Sequence, residues 1–502
     1  MIEKYTPCAY LALLILLAHA TSAAPTFLTS DDWLVLNSIY NGERWGLAVS
    51  LVYGRVVYGV ILQTTFAVFD SIAAAIYTRL FGIVGLAVAA VLMFKLLLSV
   101  GVRREHAFFL ALTSALLPPS VEVGVWATTA GYSWASAIAL AAAMVLAATM
   151  TRFDGKWARH LAGPIAITVI ALFTYPPAAQ LLFFLPLIYM LMDNNGRPKP
   201  FFGASLASIA TFAIAGVVFV LIWKTYQAVF SVPGLPAGRG IISSPAEIPG
   251  KINFFVNSAL ISAGNLFGFG RSAWLAATVL AISAGQFLFG SGGWKQRFLR
   301  LTVWLAILGL SYAANLATKE NWPSFRSQTA LRVIVWVSFS FGIARFVSLI
   351  LARMRSVRSM GLIEALSPIV IISLILRQML YIGPTITYFH QQELAALRSE
   401  IDRLHGRNDI ARVIFVLPHW SANRSPIIGS ESIGVPSTTS PAVAFAMMNV
   451  IHRDRYLEPF AIPVVTVKSS EAQGLELLPR DYVLDFHKIL TDLSQNRAKP
   501  FP

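Results

Sequence analysis

The sequence predicts an all-α polytopic membrane protein that ends in a small α/β domain, and three observations carry that prediction. Of 502 residues, 56% are hydrophobic and 13% charged, whereas soluble domains carry about 25% charged residues and lack long apolar runs. The apolar residues collect in about eleven segments that read as membrane spans. Beyond about Tyr388 they give way to charged and alternating segments. The formal charge of +15, from 39 Lys+Arg against 24 Asp+Glu, does not call for a nucleic-acid partner. The basic residues fall mainly in short loops, where membrane orientation needs them. A single cysteine, Cys8, excludes an internal disulfide and a cysteine metal cluster.

The first apolar segment, Cys8 to Ala24, follows Lys4 and ends in Thr21-Ser22-Ala23-Ala24. It reads equally as a retained helix or as a cleavable signal peptide. Further spans are expected at about 79–100, 106–118, 133–150, 160–174, 177–193, 203–223, 272–290, 300–318, 329–351 and 362–383. Alternate loops then sort by charge. One set carries Arg103 and Arg104; Arg152, Lys156 and Arg159; Arg197 and Lys199; Lys295, Arg297 and Arg300; and Arg353, Arg355 and Arg358. The opposite set includes 118–131 and 174–177, without Lys or Arg. The positive-inside rule places the first set, and the N-terminus, in the cytoplasm and the C-terminus outside.

On this reading residues 1–385 form the membrane domain, with outer loops at 25–78 and 224–271. The first loop mixes apolar and polar residues from Asp32 to Leu51, as a helix lying flat in the interface would. The second is rich in Gly and Pro, as in Val232-Pro233-Gly234-Leu235-Pro236. Residues 386–502 form an outer α/β domain. Gln391 to Arg407 reads there as an amphipathic helix with Glu393, Arg398, Glu400, Asp402 and Arg403 on its wet side. Arg412 to Leu417 and Ile462 to Val467 read as strands, with a helix from Pro441 to His452 between them.

The outer face holds the residues that could do chemistry. Asp31 and Asp32 are adjacent carboxylates where a hydrocarbon face meets water, and two such charges do not both ionise cheaply in a poorly solvated place. One carries a raised pKa, or both share a cation; either state suits deprotonation of a hydroxyl while a charged leaving group departs. The plainer alternative is a helix cap, with Ser30 or Asp31 capping a helix that begins near Trp33. Glu43, Arg44, Arg55 and Asp70 share the loop, Glu122 lies in the next outer loop, and Lys319, Glu320 and Arg326 precede the tenth span. Arg377 falls inside the last span. Arg326 and Arg377 suit either phosphate contact or structural pairing. His19 reads as a histidine satisfied by the bundle. Walker-type, metalloprotease and Cys/His metal spacings are absent, which sets ATP hydrolysis and those metal chemistries aside.

The run Ser30-Asp31-Asp32-Trp33 after a first span resembles the GT-C superfamily of membrane glycosyltransferases, and most of all the bacterial glucosyltransferase-like family that decorates O-antigen and related lipopolysaccharide glycans. Asn41-Gly42-Glu43-Arg44-Trp45, Phe69-Asp70-Ser71, Ala130-Gly131-Tyr132-Ser133, Thr174-Tyr175-Pro176-Pro177 and Ser324-Phe325-Arg326-Ser327 carry the rest of the likeness, over about residues 1–385. Pro176 stands where the family has glutamine. The resemblance implies a polyprenyl-phosphate sugar donor, glucose or a similar hexose, and a surface glycan or lipid acceptor at the periplasmic face of the bacterial inner membrane. It implies Asp31 or Asp32 as general base, Arg326, Arg55 or Arg377 against the donor phosphate, and Glu43, Arg44, Asp70, Tyr132 and Tyr175 as further site residues. A divalent cation, Mg2+ or Mn2+, bridging Asp31 or Asp32 to the phosphate is compatible with it, although arginine does the same work. Two competing readings follow from the same residues. A flippase or transporter for a lipid-linked sugar predicts polar groups near mid-membrane, where these spans are largely clean. An outer-face transferase with another cargo would use the same acidic pair.

Overall fold

The structure, a computed structural model, describes residues 2–150, 160–192, 199–229, 240–268, 272–290, 292–353, 359–419, 422 and 435–497. Arg152, Lys156, Arg159, Arg197, Arg355, Arg358 and the run 232–236 lie outside the described residues. Six helices are long and apolar enough to cross a membrane: Thr6–Ala23, Ala75–Ser99, Ala127–Met150, Phe201–Val229, Arg326–Ile350 and Leu366–Leu404. A seventh span results if Arg104–Ser114 and Pro118–Val125, bent by 55°, count as one. The other expected spans are helical but shorter, at 13 residues in Ala162–Thr174, 16 in Ala273–Leu288 and 17 in Trp294–Leu310. Length and composition therefore reach six or seven spans among the described residues, short of eleven.

Two breaks have a cause written in the chain. A residue before proline is pushed out of the helical region by the proline ring. Leu117 before Pro118 accordingly sits at φ −67°, ψ 155° and ends the helix there. Tyr175 before Pro176 sits at φ −156°, ψ 102° and splits Ala162–Thr174 from the short helical pieces of Pro176–Met192. At Gly131 a Cβ would stand 2.8 Å from the Tyr58 ring, and at Gly383 2.4 Å from Thr21 Oγ1, so glycine permits both close approaches.

Three readings of the sequence are corrected. The first outer loop is not one interfacial helix but three, Asp31–Tyr40, Trp45–Val52 and Val56–Val68. Its buried Trp33, Val35 and Leu36 join one core with Met447, Val450 and Ile451 of the Pro441–Tyr456 helix, so the apolar face packs on the C-terminal domain. The last span and the amphipathic helix form one continuous helix, Leu366–Leu404. Glu393 and Glu400 are buried rather than wet. The Glu393 carboxylate accepts from the Ser437 and Thr438 amides at 3.0 and 2.9 Å and from Thr438 Oγ1 at 2.7 Å.

The C-terminal domain holds a parallel sheet of β1 (Arg412–Leu417), β2 (Val464–Lys468) and β3 (Asp481–Asp485) in the order β2-β1-β3. Val413 faces Val464 on one side and Tyr482 on the other. Parallel neighbours need a crossover, and Pro441–Tyr456 supplies the one between β1 and β2. The central strand is almost wholly buried, as its run Val413-Ile414-Phe415-Val416-Leu417 demands. The sequence reading missed β3 and the Phe486–Arg497 helix, whose mixed polar sequence masks their apolar face.

Candidate functional site

The stretch from Ala23 to Asp32 is held from two sides. Arg79, fully buried in the Ala75–Ser99 helix, donates to the carbonyls of Ala23, Pro25 and Phe27 at 3.1, 2.5 and 2.6 Å and lies over the Phe27 ring. These carbonyls lie at the end of the first helix and just beyond it and need donors that lipid does not provide. That helix buries Leu11, Ile15, Ala18 and Ala23 in the bundle core.

Asp32 is fully buried, and both its oxygens are in use. Oδ1 accepts from the Thr128 amide at 2.7 Å; Oδ2 accepts from the amides of Thr29 and Ala127 at 3.1 and 3.3 Å and from Thr29 Oγ1 at 3.3 Å. Burial lifts its pKa from 3.8 to about 6 against these donors and the charge of Arg79, so at neutral pH it is the anion. From the first turn of Asp31–Tyr40, Asp32 thus holds the preceding Thr29 and the first amides of the turn Ala127–Thr129 and ties the two segments together, while the Ser30 side chain makes no cap bond.

Asp31 is placed differently. It keeps exposed surface although protein surrounds it closely, the condition of a carboxylate in a recess. The hydrogen bond it accepts among the described residues comes from Ser30 Oγ at 3.5 Å, the limit of such a contact. Burial raises its pKa, opposed first by Arg326 and then by Ser30. Ser30 itself sits at φ 36°, ψ −110°, a region that costs a non-glycine residue roughly 1–3 kcal/mol. The Ser30 amide is held by Ser437 Oγ at 3.1 Å, and Ser437 in turn by Glu393. Backbone strain thus stands next to an exposed, nearly unpartnered carboxylate.

Arg326 is near enough for its charge to act on Asp31 and is itself fixed: its amide donates to Glu122 Oε2 at 3.1 Å and its guanidinium lies 4.4 Å from the centre of the Trp126 ring. Tyr132 and Tyr175, brought together by the break before Pro176, stack at 3.7 Å and both act on Arg326. Arg55 Nη1 donates to Tyr132 Oη at 3.3 Å, and the guanidinium lies 5.0 Å from the centre of the Tyr175 ring. Tyr58 packs on Tyr132 and donates to the Thr128 carbonyl at 2.7 Å. Arg55 also stands at the edge of a cavity of about 550 Å³ lined by Tyr53, Leu172, Pro176, Phe212, Phe219 and Trp223 among others, almost all apolar. Pro176, the residue that departs from the family pattern, is part of its wall.

The structure thus joins Asp31, Arg326, Arg55, Tyr132 and Tyr175 of the residues singled out in the sequence, with Glu122 behind Arg326. It does not bring in the others. Arg377 donates to the Phe267 carbonyl at 2.6 Å. Glu43 and Arg44 are exposed at the turn between the first two loop helices, and Asp70 is exposed near Tyr40. A cation bridging Asp31 and Asp32 finds Asp32 already satisfied by four donors, leaving Asp31 as the carboxylate open to an ion. Tyr58, Trp126, Glu393 and Ser437 were missed. Arg79 was missed as well, although a cation inside an apolar segment is a signal that could have found it. Compared with known protein families and with curated proteins, the sequence matches none.

Proposed function

We propose that the protein is an inverting membrane glycosyltransferase that moves a hexose, glucose in the first instance, from a polyprenyl-phosphate donor to a surface glycan or lipid acceptor. One juxtaposition supports the reading. An open carboxylate, two guanidiniums and a stacked tyrosine pair meet beside an apolar cavity large enough for part of a lipid chain. The donor's isoprenoid chain lies in the apolar cavity, and Arg55 and Arg326 take its phosphate. The tyrosine faces give the sugar a flat apolar wall. Asp31 removes the proton of the acceptor hydroxyl; the resulting oxygen attacks the anomeric carbon, and the carbon–oxygen bond to phosphate breaks, leaving the polyprenyl phosphate with its added charge on the arginines. Asp32 is the positioning residue that holds Asp31 on its strained turn. In this reading the chain crosses the bacterial inner membrane eleven times, with the N-terminus in the cytoplasm and the site and C-terminal domain in the periplasm.

The test is transfer of radiolabelled sugar from polyprenyl phosphate to envelope glycan by the purified protein, with Asp31→Asn and Arg326→Gln variants and with EDTA. Both variants are expected to lose transfer while unfolding as the wild type does. Undiminished transfer by Asp31→Asn overturns the assignment of the base. Absence of transfer by the wild type, together with passage of the lipid-linked sugar across liposomes by all three proteins, replaces the transferase reading with transport.

A further inference from the structure

Away from the Asp31 cluster, two imidazoles and a carboxylate converge in the C-terminal domain. His405 is the residue at which the Gly383–Leu404 helix stops, at φ −61°, ψ 131°. His452 lies, mostly buried, one turn before the end of Pro441–Tyr456. That helix is ended by Leu457 at φ 62°, ψ 14°, a left-handed conformation uncommon for a residue with a side chain. The turn brings Glu458 back across the helix end. His405 Nδ1 then stands 3.2 Å from His452 Nε2 and 3.9 Å from Glu458 Oε1, and the three groups' ligand atoms all lie within 4.8 Å of one another.

The surrounding bonds orient these atoms. His452 Nδ1 is 2.9 Å from the carbonyl oxygen of Glu458. A carbonyl can only accept, so the His452 proton sits on Nδ1 and the lone pair of Nε2 is turned toward His405. An imidazole whose second nitrogen donates to a backbone carbonyl is the usual support of a metal-bound histidine. The His405 ring lies flat on Tyr456, with 3.6 Å between centroids and 1° between planes, which holds its Nδ1 edge toward His452. Bonds of about 2.0–2.1 Å in a tetrahedral site put neighbouring ligand atoms about 3.3 Å apart. The two nitrogens meet that spacing, and the Glu458 side chain, 61% exposed, is free to close the rest by changing rotamer.

We propose that His405, His452 and Glu458 bind a divalent transition-metal ion, zinc by the nature of the donors, with water in the fourth position. Two imidazoles and one carboxylate suit zinc, whereas calcium and magnesium take oxygen ligands. The ion joins the end of the helix that leaves the bundle to the helix that crosses over the sheet. It thereby ties the helix that leaves the bundle to the rest of the C-terminal domain. A direct hydrogen bond from His405 to His452 accounts for the 3.2 Å separation equally well, and metal uptake separates the two.

The experiment uses the full chain without a histidine tag, stripped with chelator in detergent and titrated with Zn2+ against a competing chromophoric chelator, then with Co2+ for the visible bands of a tetrahedral ion. The expected result is one ion per chain and a rise in the unfolding temperature of the wild type. His405→Ala should weaken uptake by more than roughly 100-fold, beyond what changes in supporting residues cost. Glu458→Ala, at an exposed position that folding does not depend on, should weaken it roughly 10-fold or more and remove the thermal shift. A wild type that takes up no more zinc than His405→Ala overturns the site. So does a Glu458→Ala protein that binds and unfolds as the wild type does.

Discussion

Replacing Asp32 by asparagine tests whether this carboxylate is a buried clamp. Asparagine keeps the shape but turns one acceptor into a donor. In its better orientation the amide oxygen stays on Thr29 and Ala127, and the NH2 meets the Thr128 N–H that now donates at 2.7 Å. One buried backbone amide then loses its partner, at about 1–3 kcal/mol. Removing the charge works the other way, because a folded pKa raised from 3.8 to about 6 means that the buried charge opposes folding at neutral pH. The cost of the lost amide partner is therefore to be read near pH 4.5, where that opposition is small, as the shift in urea or thermal unfolding of the detergent-solubilised protein.

The pH dependence is the sharper half of the test. The folded pKa lies above the ordinary 3.8, so between about pH 4 and 6 the native state binds a proton that the unfolded chain releases. The contribution is fully present below 3.8 and is lost as pH rises through about 6. A difference of about two pH units amounts to ~3 kcal/mol. The gap between wild type and Asp32→Asn should therefore be wider at pH 4.5 than at pH 7. A gap that is constant over this interval, or that widens toward pH 7, refutes the reasoning, and so does an Asp32→Asn protein as stable as the wild type at pH 4.5.

Three further outcomes are expected. Transfer by the wild type should rise with pH through the raised pKa of Asp31, and Arg326→Gln, by removing the charge that opposes the rise, should move whatever activity remains to higher pH; a pH–rate profile with the same midpoint in both would count against the pairing. Gly131→Ala puts a methyl group 2.8 Å from the Tyr58 ring and should cost about 1–3 kcal/mol while dislodging the Tyr58–Tyr132 pair, visible as a lower unfolding midpoint and altered tyrosine fluorescence. Arg79→Met leaves the carbonyls of Ala23, Pro25 and Phe27 without their donor and should cost about 3 kcal/mol or more; an unchanged midpoint would mean that the first helix is not anchored there.

Much of the architecture was legible along the chain because its causes are local. Apolar runs of sufficient length become helices in lipid, so the first, second, fourth, seventh and tenth expected segments match long helices. Val413 to Leu417 is short and uniformly apolar, as a buried strand is, and the prolines at 118 and 176 push the residue before each of them out of the helical region. The acidic pair was legible only as two adjacent carboxylates, and the cap expected from Ser30 is not formed. Tertiary structure decided what separates the two aspartates. Asp31 and Asp32 have the same chemistry and adjacent positions, yet one meets the amides of Ala127 and Thr128 and the other an open recess. Those partners lie almost a hundred residues away, and Arg326 nearly three hundred. Helical periodicity tells which face of a helix is buried but not which other helix covers it. The meeting of Asp31, Arg55, Tyr132, Tyr175 and Arg326, like that of His405, His452 and Glu458, follows from packing between distant segments, which leaves no pattern in any one of them.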